Sequence, residues 1–405
     1  MIYDKIRTKV LLRLEIIMNK VKIVHCSDFH FDTPFREVGE KQSKINKEEI
    51  KQVFKDIVEF CIKNTVDILL ISGDVFDNYT VNRETIYFIE NTLETLTYTK
   101  VFVSPGNHDP YANSSFYKLV NWPDNVHIFT GELEKIELEE LNTCVYGAAF
   151  TSTYERESLL KPIEVDTNKI NLLVMHGEIT QGVTDNEYNP IKLQDIEYSN
   201  MDYIALGHRH EFSRINRRGK TCYAYSGCPQ GRGFDEQGDK GIIYGYVFNG
   251  GTDLEFIKTS IRNYIELKVD ISGVKTYQDI EDTIYNIVLE GSRTRDFYKI
   301  ILVGEVISDF DIDVDVIKEK IKDKFYFCNI IDKTTVQYDI EEIQKGYSIK
   351  SIYTKKILQK LDGCKDDYER ELLSQALKLG ISSLSDGKVN IDDYQKNKNR
   401  SICRN

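Results

Sequence analysis

The sequence predicts an α/β domain followed by a small α+β domain and a helical C-terminal region. Three observations carry that expectation. From Lys22 to about residue 260, short apolar runs alternate with stretches of helical periodicity. Residues 261–340 read as strand, helix, strand, helix, strand. Beyond residue 341 the apolar side chains recur at helical spacing. The expected divisions are an extension at 1–20, a main domain at 21–260, an α+β domain at 261–340 and a helical region at 341–405.

Residues 1–17 precede Met18 and a strand that reads as the natural start of a domain, so they are expected to form an added amphipathic helix or a loose end. The strands of the main domain are KIVHC, DILLIS, KVFVS, INLLVM and DYIAL. Ile50, Val53, Phe54, Ile57 and Cys61 form a helical stripe after the first strand, and Ile86, Ile89, Leu93 and Leu96 form one after the second. Both stripes are core and carry no chemistry. VYGAAF, KTCYAYS and GIIYGYVF are rich in aromatic and β-branched residues, which predicts antiparallel pairing in part of the sheet. In the α+β domain, YIELKVDI, FYKIILVGEV and FCNIID are strands. The helix from Tyr277 to Leu289 is stopped by Gly291, and a second runs from Val314 to Phe325. Ile349, Tyr353, Ile357 and Leu361 share a helical face. Leu372, Leu373, Ala376 and Leu377 continue in a second helix ended by Gly380, and residues from Tyr394 onward look frayed. This helix pair packs on its own protein or docks on another.

Composition narrows the class. With 405 residues, 41% hydrophobic and 29% charged, the chain is neither low-complexity nor disordered. No apolar run approaches the roughly 20 residues that span a bilayer, so no membrane association is expected. The eight cysteines form no CxxC pair, which points to reduced thiols in a cytoplasmic protein. The net charge is -12, so any affinity for a polyanion must come from local basic patches or bound metal.

Five strand ends carry the chemistry: Asp28 and His30 in SDFH, Asp74 and Asp77 in GDVFD, Asn107, His108 and Asp109 in GNHD, His176 in MHGE, and His208 and His210 in GHRH. The carboxyl ends of strands in open α/β sheets are where ligands bind, so the five groups are expected to converge at one rim. Taken singly, each is a common turn or a surface histidine. Jointly they hold five of the seven histidines in the chain, which chance does not arrange. Carboxylates, imidazoles and one amide carbonyl, with no thiolate, suit Mn²⁺, Fe²⁺ or Zn²⁺. The ligands are too many for one ion, and a carboxylate is the best bridge between two; Asp74 is the natural candidate.

This ordered set resembles the calcineurin-like metallophosphoesterase superfamily across residues 25–210. The resemblance implies a sheet sandwich flanked by helices and two divalent ions, with Mn²⁺ the leading choice. It also implies that Asp28, His30, Asp74 and His210 hold one ion, and Asp74, Asn107, His176 and His208 the other. His108 would stabilise or protonate the leaving group, and Asp109 would orient its imidazole. HCSDFHFDTPF, GDVFD, GNHD and SGCPQGRGFDEQGDKG together look like the bacterial SbcD/YhaO-type DNA repair exonucleases, whose domain order also matches, with the α+β domain as a cap. GNHD in place of GNHE, and Asp77 where purple acid phosphatases place a tyrosine, disfavour other branches. The implied partners are DNA and an SbcC-like or YhaN-like ATPase subunit, and a homodimer is a further expectation.

In RHEFSRINRRGK, residues 209–220, five basic side chains follow the last histidines, and a hairpin there would guide a phosphate backbone. Arg209, Arg217, Arg218 and Arg232 are the candidate contacts, with a solvated turn as the plain alternative. The leading function is a metal-dependent DNA exonuclease or endonuclease subunit in repair. The alternatives are a small-substrate phosphodiesterase, such as a cyclic-nucleotide hydrolase, and a non-enzymatic interaction subunit whose metal site only stabilises the fold.

Overall fold

The computed structural model describes residues 20–386 apart from 36–37, 78–80, 181–185, 308–309, 311 and 365. The helix expected over residues 1–17 and the end from Tyr394 lie outside the described residues. The chain divides into two compact units between Ile265 and Glu266.

In the first unit, β1 (Lys20–Cys26) is followed by α1 (Glu40–Lys63), β2 (Ile68–Ile71), α2 (Arg83–Glu94), β3 (Lys100–Val103) and β4 (Val126–Ile128). Helical crossovers between the first three strands allow parallel pairing, and β1 to β4 are all parallel. Next come β5 (Glu134–Leu138), β6 (Thr143–Gly147) and β7 (Ile170–His176), then a two-residue pair, β8 (Ile179–Thr180) and β9 (Ile191–Lys192). After α3 (Leu193–Ser199), the strands β10 (Tyr203–Gly207), β11 (Asn216–Arg218) and β12 (Thr221–Tyr225) complete a second sheet. The hairpin of β13 (Gly241–Phe248) and β14 (Gly251–Lys258) returns to pair antiparallel with β1. The sheet orders are β14-β13-β1-β2-β3-β4 and β11-β12-β10-β7-β6-β5.

The antiparallel expectation holds for GIIYGYVF and only in part for the other two segments. β6 and β12 pair in parallel with their inner neighbours, and antiparallel only with the edge strands β5 and β11. Their aromatic content reflects burial on both faces, which serves either direction of pairing.

Period-2 alternation sets the layers. Ile68 and Leu70 of β2 and Phe102 of β3 face the second sheet, joining Leu172, Val174 and Tyr203 in a core between the sheets. Leu69, Ile71, Val101 and Val103 point the other way, onto Val53, Phe54, Ile57 and Ile89 of the two helices. Tyr146, Leu173 and Leu206 cover the outer face of the second sheet with Ile196 of α3. The result is two sheets flanked by helices. His25, outside the strand-end groups, is a buried strut of this sandwich: its ring bonds Tyr203 Oη at 2.9 Å and Ser72 Oγ at 2.8 Å.

The strand β15 (Tyr264–Asp270) leads into the second unit, where it lies beside β16 (Phe297–Val303) and β18 (Phe327–Asp332) in a three-stranded sheet. A pair formed by β17 (Glu305–Ile307) and β19 (Thr335–Gln337) sits apart from it. Helices α4 (Tyr277–Ile287), α5 (Glu290–Arg293) and α6 (Val314–Ile321) are interleaved, and α7 (Ile340–Lys345), α8 (Ile349–Gly363) and α9 (Asp367–Asp386) follow.

Two expected helix stops move. The helix from Tyr277 ends at Ile287 because the buried, β-branched Val288 turns extended, and Gly291 falls inside the short α5 instead. Gly380 does not end a helix; it lies within α9, where a Cβ would overlap the Tyr353 ring of α8. Tyr353 Oη donates to the Ala376 carbonyl at 2.6 Å, so the glycine serves close approach of two helices.

Candidate metal centre

β1, β2 and β3 run parallel in one sheet, and β7 and β10 run parallel in the other. Their carboxyl ends meet at one edge of the sandwich. His176 closes β7 opposite Gly207, which closes β10, so the register itself sets His208 beside His176. The backbone N–H of His208 donates to Asp28 Oδ1 at 3.1 Å, tying the end of β10 to the end of β1 across the two sheets. A side chain at Gly207 would overlap the Ser72 carbonyl and one at Gly106 the Asp74 carboxylate, so the loops approach this closely only with glycine there.

The backbone at these ends is unusual. Asp28, His30, Asp74 and His208 have φ of 57°, 47°, 50° and 109°. Each such conformation costs on the order of 1–3 kcal/mol in a residue with a side chain, and the surrounding ladder must hold it.

The candidate ligands form two adjoining cradles. In the first, His30 Nε2 lies 3.2 Å from His210 Nε2, 3.5 Å from Asp74 Oδ2 and 4.0 Å from Asp28 Oδ1. His210 Nε2 is 3.8 Å from Asp28 Oδ1. In the second, His176 Nε2 lies 2.9 Å from Asn107 Oδ1 and 3.5 Å from Asp74 Oδ2, and His208 Nδ1 is 3.3 Å from Asn107 Oδ1. Asp74 faces both through one oxygen, Oδ2, because Oδ1 accepts the His108 N–H at 3.0 Å. Asp28, His30, Asp74 and His176 are at most 1% exposed.

Outer partners fix the rings. His176 Nδ1 donates to the Ser72 carbonyl at 2.9 Å, which leaves Nε2 as a lone pair facing the Asn107 carbonyl oxygen. His210 Nδ1 lies 2.8 Å from Glu236 Oε1, and His208 Nε2 lies 3.7 Å from Glu178 Oε2. His30 Nδ1 is 3.2 Å from Asp77 Oδ1 but is not aligned for a hydrogen bond. Burial pushes the imidazoles of His30, His176 and His208 down, His208 to about 3, so they stay neutral and offer lone pairs. Burial likewise pushes the Asp28 and Asp74 carboxyls up, and a cation reverses that preference. Converging lone pairs and carboxylate oxygens at these separations repel one another unless a cation lies between them. The residues fit two divalent ions.

His108 stands at the rim, its side chain 44% exposed and its ring 4.7 Å from that of His30. The expectation that Asp109 orients it does not hold. Asp109 is buried and accepts from the N–H groups of Gly106 and Val75 at 2.7 Å each, from Phe76 N–H at 3.2 Å, and from Tyr117 Oη at 2.7 Å. Those bonds engage both oxygens of its carboxylate and make it a clamp between the loops after β2 and β3. The partner of His108 is the Asp77 carbonyl, 2.8 Å from Nδ1.

The basic residues separate. Arg209, Arg214 and Arg218 line a cleft of about 590 Å³ with Phe212, Tyr223 and Tyr225. Arg209 also pairs with Glu178 and lies over the Tyr225 ring, 5.2 Å from its centre. Arg217 folds back on the carbonyls of Gly219 and Gly250, both at 3.2 Å, so it does not line that cleft. Arg232 is not an open phosphate contact either: its guanidinium is mostly buried and pairs with Glu236. Burial raises the Glu236 carboxyl, but the hydrogen bond from His210 and the Arg232 charge outweigh it and hold the group below the usual carboxylate range. Glu178 and Glu236 lie in the MHGE and QGRGFDEQG stretches, yet no spacing rule marks them as partners of imidazoles.

Residues 21–212 match the family described as calcineurin-like phosphoesterase. The chain is similar to the uncharacterized metallophosphoesterase YhaO of Bacillus subtilis, 26% identical over 290 residues that cover 68% of this chain and 70% of that protein. It is 25% identical over 226 residues to the SbcD subunit of nuclease SbcCD from Staphylococcus epidermidis, covering 48% of this chain and 58% of that one. It is 23% identical over 278 residues to the DNA double-strand break repair protein Mre11 of Methanosarcina acetivorans, covering 65% and 43% respectively. The matches to the last two thus span less than two thirds of those relatives. Among solved structures, TT1561 of Thermus thermophilus aligns with 59% of this chain and 99% of its own at 10% identity, with a TM-score of 0.38. The chain carries a calcineurin-like metallophosphoesterase domain, the framework of a metal-dependent phosphoester hydrolase.

Proposed function

We propose that the protein is a two-metal phosphodiesterase that cleaves DNA, a nuclease subunit working in repair beside an ATPase partner, with Mn²⁺ as its preferred ion. The carrying observation is the pair of cradles that share Asp74 Oδ2, with His108 at their rim. Relatives named as the SbcD subunit of nuclease SbcCD and as Mre11 support DNA as the substrate class. Divalent ions held by Asp28, His30, Asp74 and His210 on one side, and Asp74, Asn107, His176 and His208 on the other, would supply Lewis acidity toward water and the phosphoryl oxygens.

The chain's own residues do the rest. Asn107 and the four imidazoles mark where a phosphate can sit, and outer contacts hold the rings of His176 and His210 in place. With Nδ1 of His108 tied to the Asp77 carbonyl, Nε2 is the atom that exchanges a proton with the leaving oxygen. Arg209, Arg214 and Arg218 at their shared cleft offer positive charge to the phosphates of a nucleic-acid strand. The seven described cysteines are all unpaired, which suits a reducing, cytoplasmic setting. No described helix is long and apolar enough to cross a membrane.

The test is cleavage of linear double-stranded and single-stranded DNA with Mn²⁺ by the full chain and by His108→Ala. The variant is expected to lose about 10²- to 10⁴-fold in rate while still taking up two ions. No cleavage by wild type, or a variant as fast as wild type, would defeat the reading.

A further inference from the structure

Behind the first cradle lies a run of charged side chains, Glu236, Arg232 and Asp77, that are mostly shielded from solvent. Glu236, 5% exposed in its side chain, sets Oε1 2.8 Å from His210 Nδ1. Its Oε2 accepts the Arg232 backbone N–H at 2.8 Å, and Arg232 Nε reaches Oε1 at 3.1 Å. The far side of the same guanidinium, Nη1, lies 3.6 Å from Asp77 Oδ1, and that oxygen is 3.2 Å from His30 Nδ1. Three charged side chains thus run in series from His210 Nδ1, which Glu236 engages, to Asp77, whose Oδ1 approaches His30 Nδ1 without bonding it. The Asp77 carbonyl also holds His108 Nδ1.

We propose that Glu236, Arg232 and Asp77 form a strap that positions His210 for the first metal ion, with Glu236 as the principal positioning residue. One competing contact has to be weighed, since Arg232 Nη2 lies 3.1 Å from His210 Nδ1. A guanidinium only donates, so bonding there would need a lone pair on Nδ1 and would put the proton on Nε2, facing the cradle. The carboxylate is nearer and accepts, which keeps the proton on Nδ1 and the lone pair on Nε2. Arg232 then acts on Glu236, neutralising it and fixing its plane through the fork of its nitrogens. A simple salt bridge stabilising the Gly-rich loop needs neither the 2.8 Å contact to His210 nor the approach of the same guanidinium to Asp77.

The inference rests on the two-metal reading and is tested by metal binding, without turnover. Apo full-length protein is titrated calorimetrically with Mn²⁺ alone, and the spin coupling of the bound ions is followed by electron paramagnetic resonance. Wild type is expected to take up two ions that give a coupled signal. Glu236→Gln keeps size and hydrogen bonding but not charge. It should weaken one of the two ions by about 10- to 100-fold, leave the other within about threefold, and replace the coupled signal with that of an isolated ion at equal loading. Arg232→Lys keeps the charge without the fork and should fall between the two, which separates positioning from loss of fold; circular dichroism monitors folding in each. Two ions bound by folded Glu236→Gln with wild-type affinities and coupling would overturn the strap and leave the proposed function standing. Failure of wild type to bind a pair of ions would overturn both.

Discussion

The two cradles share an aspartate and a ligand chemistry, yet they are supported differently. The first is backed by the buried carboxylate of Glu236, 2.8 Å from His210, while Asp77 lies 3.2 Å from His30 without bonding it. The second relies on the Ser72 carbonyl at 2.9 Å for His176 and on Glu178 at 3.7 Å for His208. Glu178 is also drawn outward by Arg209, whose side chain is 51% exposed. A ligand ring held by a buried charge gives up little freedom when an ion binds, whereas one held loosely gives up more. On the two-metal reading, the backing of His210 by Glu236 predicts a ranking of the cradles, with the first ion held more tightly than the second.

The largest perturbation should erase that ranking. Asp74→Asn removes the charge that both cradles use, and loss of several kcal/mol of charge stabilisation corresponds to about 10³-fold or more in rate. Both ions should weaken together in a Mn²⁺ titration; loss of only one would show that the cradles are independent. Next in size is Tyr117→Phe, which leaves the buried Asp109 clamp one donor short. A hydrogen bond to a charged group is worth about 1.5–3 kcal/mol, so denaturant unfolding should show a loss in that range. Asn107 sits in the clamped loop, so the second ion should weaken more than the first, and equal weakening would contradict the ranking. The smallest effect is expected from Glu178→Ala, about threefold or less on the second ion, since the contact is long and partly solvated. A loss as large as that of Glu236→Gln would mean the two backings are equivalent.

The sandwich was legible because its inner strands are buried on both faces and read as unbroken apolar runs, as in DILLIS and INLLVM. The gathering of Asp28, His30, Asp74, Asn107, His176, His208 and His210 at one rim was legible because each lies within a few residues of the end of such a run. What failed depends on contacts made at a distance. Asp109 sits next to His108 in sequence, yet its carboxylate turns to three backbone N–H groups and to Tyr117. Arg232 looked like a phosphate contact because a Gly-rich loop suggests one; Glu236 is only four residues on, but no helical spacing marks the irregular turn that closes the pair. Gly380 read as a helix stop because nothing in the sequence shows that Tyr353 needs its space. Glycine marks a tight place in each reading, but the sequence does not say whether the chain turns there or another residue presses close.

The left-handed backbone at Asp28, His30 and Asp74 also limits how this protein can be altered. Those residues are selected twice, once for the atoms they offer and once because short aspartyl and histidyl groups tolerate that conformation better than most. A designer who lengthens an arm of the centre with glutamate would meet an intrinsic backbone objection before the new oxygen met any ion. Retuning the centre toward another cation is better begun at Asn107 or His176, neither of which carries that constraint.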